Sequence, residues 1–206
     1  STLFPYTTLF RSRLKLIDAA IEVYGEVGYR VATVKAICEA AELTERYFYE
    51  SFANSEALLI AAYNHVVGHL HEEMAAAAAA AGDDAEARLR AALTLYFTRL
   101  KQHPKPARVF LLEISGISPA VDAVKLDAGR VFSDILVPPM RDPKHGDGSA
   151  AAALLSVGMV GAVISIALRW VSRQYPQAVE DVVAIAAGFC RVALTEAGHR
   201  WDQRLP

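Results

Sequence analysis

Glu45, Arg46, Tyr47, Tyr49 and Glu50 fall within six consecutive residues that hold a single apolar side chain, Phe48. Arginine can present two donors to the two acceptors of guanine in the major groove, so this combination could read DNA. Such residues must be carried by a short helix whose other face is buried, and Phe48 and Phe52, four apart, supply that face. Upstream, Val34, Ile37, Cys38 and Ala41 recur at helical spacing. The second pattern restarts at Thr44, which is placed as an N-cap for the amide of Arg46 or Tyr47. Helix, tight turn and helix follow, and the second helix has the shape of a recognition helix.

The chain has 206 residues, is 53% hydrophobic and contains 12 Gly and 9 Pro, enough for one sizeable core and a small satellite domain. Alanine dominates the apolar count and strict alternation is absent, so the fold class is all-α. Cys38 and Cys190 each lie on the apolar side of a helical pattern and read as buried, reduced thiols of a cytoplasmic protein. The formal net charge is -2, and residues 13–64 carry five basic against eight acidic side chains, a net -3. Phosphate neutralisation supplies most non-specific affinity for DNA, so this segment is a poor DNA binder unless it is dimeric or extended by a basic arm.

Residues 1–12 stand apart. They fit no helix and lack the pattern of a signal peptide, and TLFPYTTLFRS resembles the in-frame translation of a common sequencing-adapter oligonucleotide. They are expected to be an assembly artefact, or else a disordered arm, with the native N-terminus missing. From Leu14, the residues Ile17, Ala20, Ile21 and Tyr24 form one helical stripe, which Gly25 and Gly28 are expected to stop. Thr33 caps the second helix, with Lys35 in its first turn, and Asn54 caps a long fourth helix that reaches the alanine run 75–81.

The stretch LIDAAIEVYGEVGYRVATVKAICEAAELTERYFYESFANSEALL resembles the N-terminal domain of the tetracycline-repressor (TetR) family of transcription regulators. The resemblance lies in an ordered set of features: the Gly-Tyr turn, Thr33, the Thr-x-x-x-Phe-Tyr-x-x-Phe helix and the Asn-x-Glu-Ala-Leu-Leu entry into helix four. It implies a nine-helix architecture, with a helix-turn-helix domain over 13–58 and a ligand-binding and dimerisation domain over 59–206. By position it implies phosphate contacts at Thr33 and Tyr49, and base contacts at Lys35, Glu45, Arg46 and Tyr47. Thr44 and Ser51 complete the candidate DNA-binding set. The chain departs from the family at Arg46, where many members have a small residue, at Ser51, where many have His, and at Ser55, where many have a phosphate-binding Lys. Glu42 replaces the glycine expected in the turn, which therefore needs another geometry or some strain. Arg46 either pairs with guanine or is a solvated arginine held by Glu42 or Glu50.

The remaining helices are marked by breakers: Gly82-Asp83-Asp84, then Pro104, a sixth helix over 108–117, a seventh over 121–137 ended by Pro138-Pro139, a polar loop over 141–149, and helices over 150–174 and 177–199. Residues 150–168 carry no charge and are long enough to span a bilayer. Their Ala, Gly and Ser content and the lack of a polybasic flank favour instead a helix buried on all sides, with Ser156, Gly158, Gly161, Ala162 and Ser165 allowing close approach of a partner. The resemblance implies homodimerisation through the last two helices on a pseudo-palindromic operator.

His65, His69, Glu72 and Glu73 share one helix face, with His71 nearby, and could hold a metal; no second ligand-bearing segment is evident, which favours a solvated face. No nucleophile elbow, phosphate loop or catalytic carboxylate pair points to an enzyme, and no cofactor is implied. Tyr63, Tyr96, Phe97, Phe110, Phe132 and Trp170 are the candidate lining of an effector pocket, which the resemblance implies; aromatic residues at helical spacing are also ordinary core. The sequence therefore reads as a repressor responsive to a small apolar or aromatic molecule, and alternatively as a small-molecule or lipid carrier that has lost DNA binding.

Overall fold

A computed structural model describes residues 4–136 and 150–202. The described residues form nine α-helices, a π-helical turn and no strand, the all-α class expected. They are α1 (Phe4–Val27), α2 (Val34–Ala40), α3 (Glu45–Ser51), α4 (Ser55–Ala80), α5 (Ala85–Gln102), α6 (Pro104–Arg108), α7 (Pro119–Leu136), α8 (Ala150–Ser172) and α9 (Val179–Asp202). The expected loop over 141–149 and the Pro138-Pro139 stop lie outside the described residues.

Contacts divide the chain into two compact units, 1–69 with 102–125, and 70–101 with 126–206. The first therefore includes α6, which follows far later in sequence than the boundary expected between 58 and 59. In this unit α1 is the central element, packing against α2, α3 and α6. Leu16, Ala20, Tyr24, Ile37, Phe48 and Leu58 are among its fully buried side chains.

Several local features differ from the sequence reading. Residues 4–13 are helical: α1 begins at Phe4, and Ser12 is buried. Helix propagation adds one hydrogen bond per residue once a buried stripe has nucleated it, and neither Gly nor Pro interrupts residues 6–24. Gly25 does not stop this helix, which ends at Gly28 with φ +88°. Pro104 starts α6 and does not merely end α5, because a first-turn proline lacks only an amide that would be unpaired anyway. The helix continues into a π-helical turn, Val109–Glu113, that buries Val109, Phe110 and Leu111 in succession.

In the second unit α8 packs on α9, and Phe97 meets Trp170 edge-on with centroids 5.7 Å apart. After α8, Gln174 and Tyr175 both have positive φ, 63° and 58°. That backbone is costly for a bulky side chain. Tyr175 is held there by its hydroxyl, which donates to the Leu100 carbonyl at 3.0 Å, and by edge-on contact with Trp170. Contrary to expectation, α8 is not buried on all sides: Leu154, Val157, Gly158, Gly161 and Ser165 are exposed. Residues 153–172 are long and apolar enough to cross a membrane by length and composition alone.

Candidate nucleic-acid interface

The recognition helix is set on the domain by its two phenylalanines. Phe48 is fully buried, Phe52 is 4% exposed, and their rings lie 6.0 Å apart. With that face inward, Glu45, Arg46, Tyr49 and Glu50 are exposed and Tyr47 is half-buried. Tyr49 stands edge-on to Phe48, with centroids 5.1 Å apart. A second anchor comes from α1: the Arg13 guanidinium donates to the Ser51 carbonyl at 2.7 Å and sits 4.2 Å over the Phe52 ring. Sequence reading missed Arg13 as an anchor, since its partners lie 38 and 39 residues away.

The turn between α2 and α3 keeps the left-handed residue that glycine usually supplies. Glu42 has φ +55°. The Leu43 amide donates to the Cys38 carbonyl at 2.9 Å and the Glu42 amide to the Glu39 carbonyl at 3.2 Å. This is a Schellman closure with glutamate at its strained position, so the chain accepts the strain and keeps the geometry.

Thr33 is the N-cap of α2, its Oγ1 accepting from the Ala36 amide at 3.1 Å. The hydroxyl proton stays available for a phosphate oxygen. Lys35 is exposed, 3.9 Å from Glu39. Thr44 occupies the N-cap position of α3, but its hydroxyl makes no cap bond. The Tyr47 amide that the hydroxyl was expected to satisfy donates instead to the Thr44 carbonyl, at 3.0 Å. The Ser51 hydroxyl oxygen is buried, so this candidate contact does not face solvent. Arg46 is paired, its Nε donating to Glu50 Oε1 at 2.8 Å, while its side chain remains 83% exposed.

The acidic balance read from residues 13–64 is partly offset from α6. Lys105 Nζ donates to Glu22 at 2.9 Å and to Glu26 at 3.1 Å. Arg108 donates to Glu113 at 2.7 Å and to the Glu26 carbonyl at 3.1 Å. Glu113 in turn accepts from the Tyr29 amide at 2.8 Å.

The candidate pocket residues are all buried but are not gathered around one space. Tyr63 and Phe110 stack in the first unit, with centroids 5.8 Å apart, while Tyr96, Phe97, Phe132 and Trp170 belong to the second. A cavity of about 380 Å³ in the second unit is lined by Asp83, Glu86, Arg88, Asp134, Arg191 and Thr195 among others, and by none of the six aromatics. Burial pushes the Tyr63 hydroxyl far above its ordinary value. Among the described residues no group of three or more His, Cys, Asp or Glu could hold a metal. His65 faces Asp18 at 3.6 Å and His69 ring to ring, while Glu73 is taken by Arg99 in a two-pronged pair of 2.8 Å bonds.

The fold and the exposed face of α3 define a helix-turn-helix domain. Residues 16–62 match the family described as bacterial regulatory proteins, tetR family, so the resemblance to TetR-family regulators is borne out. The structure is similar to the fatty acid degradation regulator FadR from Bacillus halodurans (TM-score 0.71, 20% identity, 87% of this chain and 94% of that one). It is also similar to FadR from Bacillus subtilis in complex with stearoyl-CoA (0.69, 22%, 87% and 96%). A third similar structure is the repressor FadR from Thermus thermophilus in complex with lauroyl-CoA (0.64, 18%, 86% and 92%). No curated protein matches the chain.

Proposed function

We propose that the protein is a cytoplasmic, homodimeric repressor that binds a pseudo-palindromic operator and responds to a small molecule. The observation that carries this is α3 itself, anchored by Phe48, Phe52 and Arg13 with Glu45, Arg46, Tyr47 and Tyr49 turned outward or to the rim. In this reading Thr33 and Tyr49 contact phosphates, and Lys35, Glu45, Arg46 and Tyr47 contact bases. The helix-turn-helix domain spans 13–58, and 59–206 binds ligand and dimerises. Dimerisation uses α8 and α9, which expose Leu154, Val157, Leu168, Ile185, Phe189 and Val192. Large apolar side chains exposed in this number on two helices packed together call for a partner. The effector has an apolar or aromatic portion, and acyl-CoA thioesters are the first class to test, as two similar structures carry them.

The test is binding to the intergenic DNA upstream of the protein's own gene across a salt series, with and without lauroyl-CoA. Affinity that falls steeply with salt, exceeds that for random duplex and changes with ligand supports the regulator. A Phe189→Glu variant that becomes monomeric by sedimentation and loses operator binding supports the α8 and α9 interface. The net -3 of residues 13–64 and the serine at position 55 favour a second reading, a carrier that has lost DNA binding. Ligand binding with affinity for operator no better than for random duplex would establish that reading in place of the first.

A further inference from the structure

A guanidinium carries five N–H donors in one rigid plane, so whichever of them is engaged decides where the rest can point. In Arg46 the engaged donor is Nε, which donates to Glu50 Oε1 at 2.8 Å, one helical turn further along α3. The two Nη nitrogens at the far edge of the plane have no partner among the described residues. Reading guanine takes two parallel donors aimed at O6 and N7, which the Nη edge supplies. Both side chains are exposed, 83% and 41%, so the pair contributes little to stability. Its effect is orientational. Arginine otherwise samples many rotamers and can settle on a phosphate, where it carries no sequence information. Lys35 shows the contrast: it lies 3.9 Å from Glu39, beyond hydrogen-bond distance, and has no planar fork to orient.

The geometry points to Glu50 as a positioning residue that holds the Arg46 guanidinium in a guanine-reading orientation, making Arg46 a reader of one base pair and not a phosphate contact. This rests on the DNA-binding role proposed above. It also gives the carboxylate at position 50 a function despite its repulsion of phosphate: Glu50 lowers affinity for any duplex and raises discrimination between duplexes.

The test is selection from a random duplex library with full-length wild type, Arg46→Ala, Glu50→Ala and Glu50→Gln. Affinities are then measured for the selected site and for the same site changed at each guanine, with thermal melts confirming that each variant is folded. Wild type is expected to prefer guanine at one position per half-site, by about 5- to 150-fold. Arg46→Ala abolishes that preference, and Glu50→Ala reduces it by about 5-fold or more. Glu50→Gln keeps it, because the amide oxygen still accepts from Nε. Both Glu50 variants bind random duplex more tightly, since both remove a negative charge. A guanine preference unchanged in Glu50→Ala, lost equally in Glu50→Gln, or independent of Arg46 overturns the positioning role alone. Failure of wild type to enrich any sequence overturns the positioning role and the regulator reading together.

Discussion

Arg13 of α1 donates to the carbonyl of Ser51, the last residue of α3, at 2.7 Å, so the first helix of the chain holds the C-terminal end of the recognition helix. The same guanidinium covers the Phe52 ring. A cation at this end of a helix also meets the negative end of its dipole. Arg13→Ala is expected to cost roughly 1–2 kcal/mol of stability, from a charge-assisted hydrogen bond and a ring contact. Arg13→Lys should recover only part of this, since an ammonium has no planar fork. Denaturant melts of the two variants check the order, and equal stability of wild type and Arg13→Ala would remove the anchor.

Glu42→Gly should stabilise the protein. A side chain in the left-handed region costs about 1–2 kcal/mol, and glycine's extra unfolded-state entropy returns about 0.5–1 kcal/mol of that. The expected net gain is about 0.5–1 kcal/mol, visible as a higher melting temperature. A lower one would show that the glutamate side chain makes a contribution larger than its strain.

Two glycines separate packing from propensity. A Cβ at Gly25 would lie 2.6 Å from the Lys105 Cα, while one at Gly68 meets nothing within 4 Å. Gly25→Ala therefore forces α6 away from α1 and should destabilise by about 1–3 kcal/mol. Gly68→Ala, inside α4, should stabilise by about 0.5–1 kcal/mol. Parallel thermal melts decide it, and loss of stability in both variants would contradict the open space around Gly68.

Burial pushes the Cys190 thiol from 9.0 up to about 11 and raises that of Cys38, where the charge on Glu45 adds to the shift. The folded state thus keeps protons that the unfolded chain releases first. Stability is full below the unfolded thiol value and falls as pH rises toward the folded one. For Cys190 the loss between pH 8 and pH 10 should be on the order of 1 kcal/mol, and denaturant titrations of Cys190→Ala should show a shallower slope. An identical slope in that variant would mean that this thiol ionises as easily folded as unfolded.

The helices of the reading domain were legible in the sequence because their signals are local. The stripe from Leu14 to Tyr24, the caps at Thr33 and Asn54, and the paired Phe48 and Phe52 each depend on neighbours within about one or two turns. Asn54 Oδ1 accepts from the Ala57 amide at 2.8 Å, as its position implied. The strained turn at Glu42 was foreseen as a conflict between residue type and geometry, and the geometry prevailed because Ile37, Cys38 and Phe48 on either side are buried.

What the sequence could not settle depended on residues far apart along the chain. Charge summed over 13–64 ignored Lys105, which reaches Glu22 and Glu26 across 83 and 79 residues. Gly25 looked like a helix stop, yet its missing side chain makes room for Lys105. The aromatic residues proposed for one pocket are divided between two units, since spacing along a helix fixes which face a ring takes but not what that face meets. For Arg46, sequence alone left guanine reader and paired surface arginine as rivals. The fold shows it paired through Nε on an exposed side chain, because Glu50 follows one turn later and the buried Phe48 turns that face of α3 to solvent.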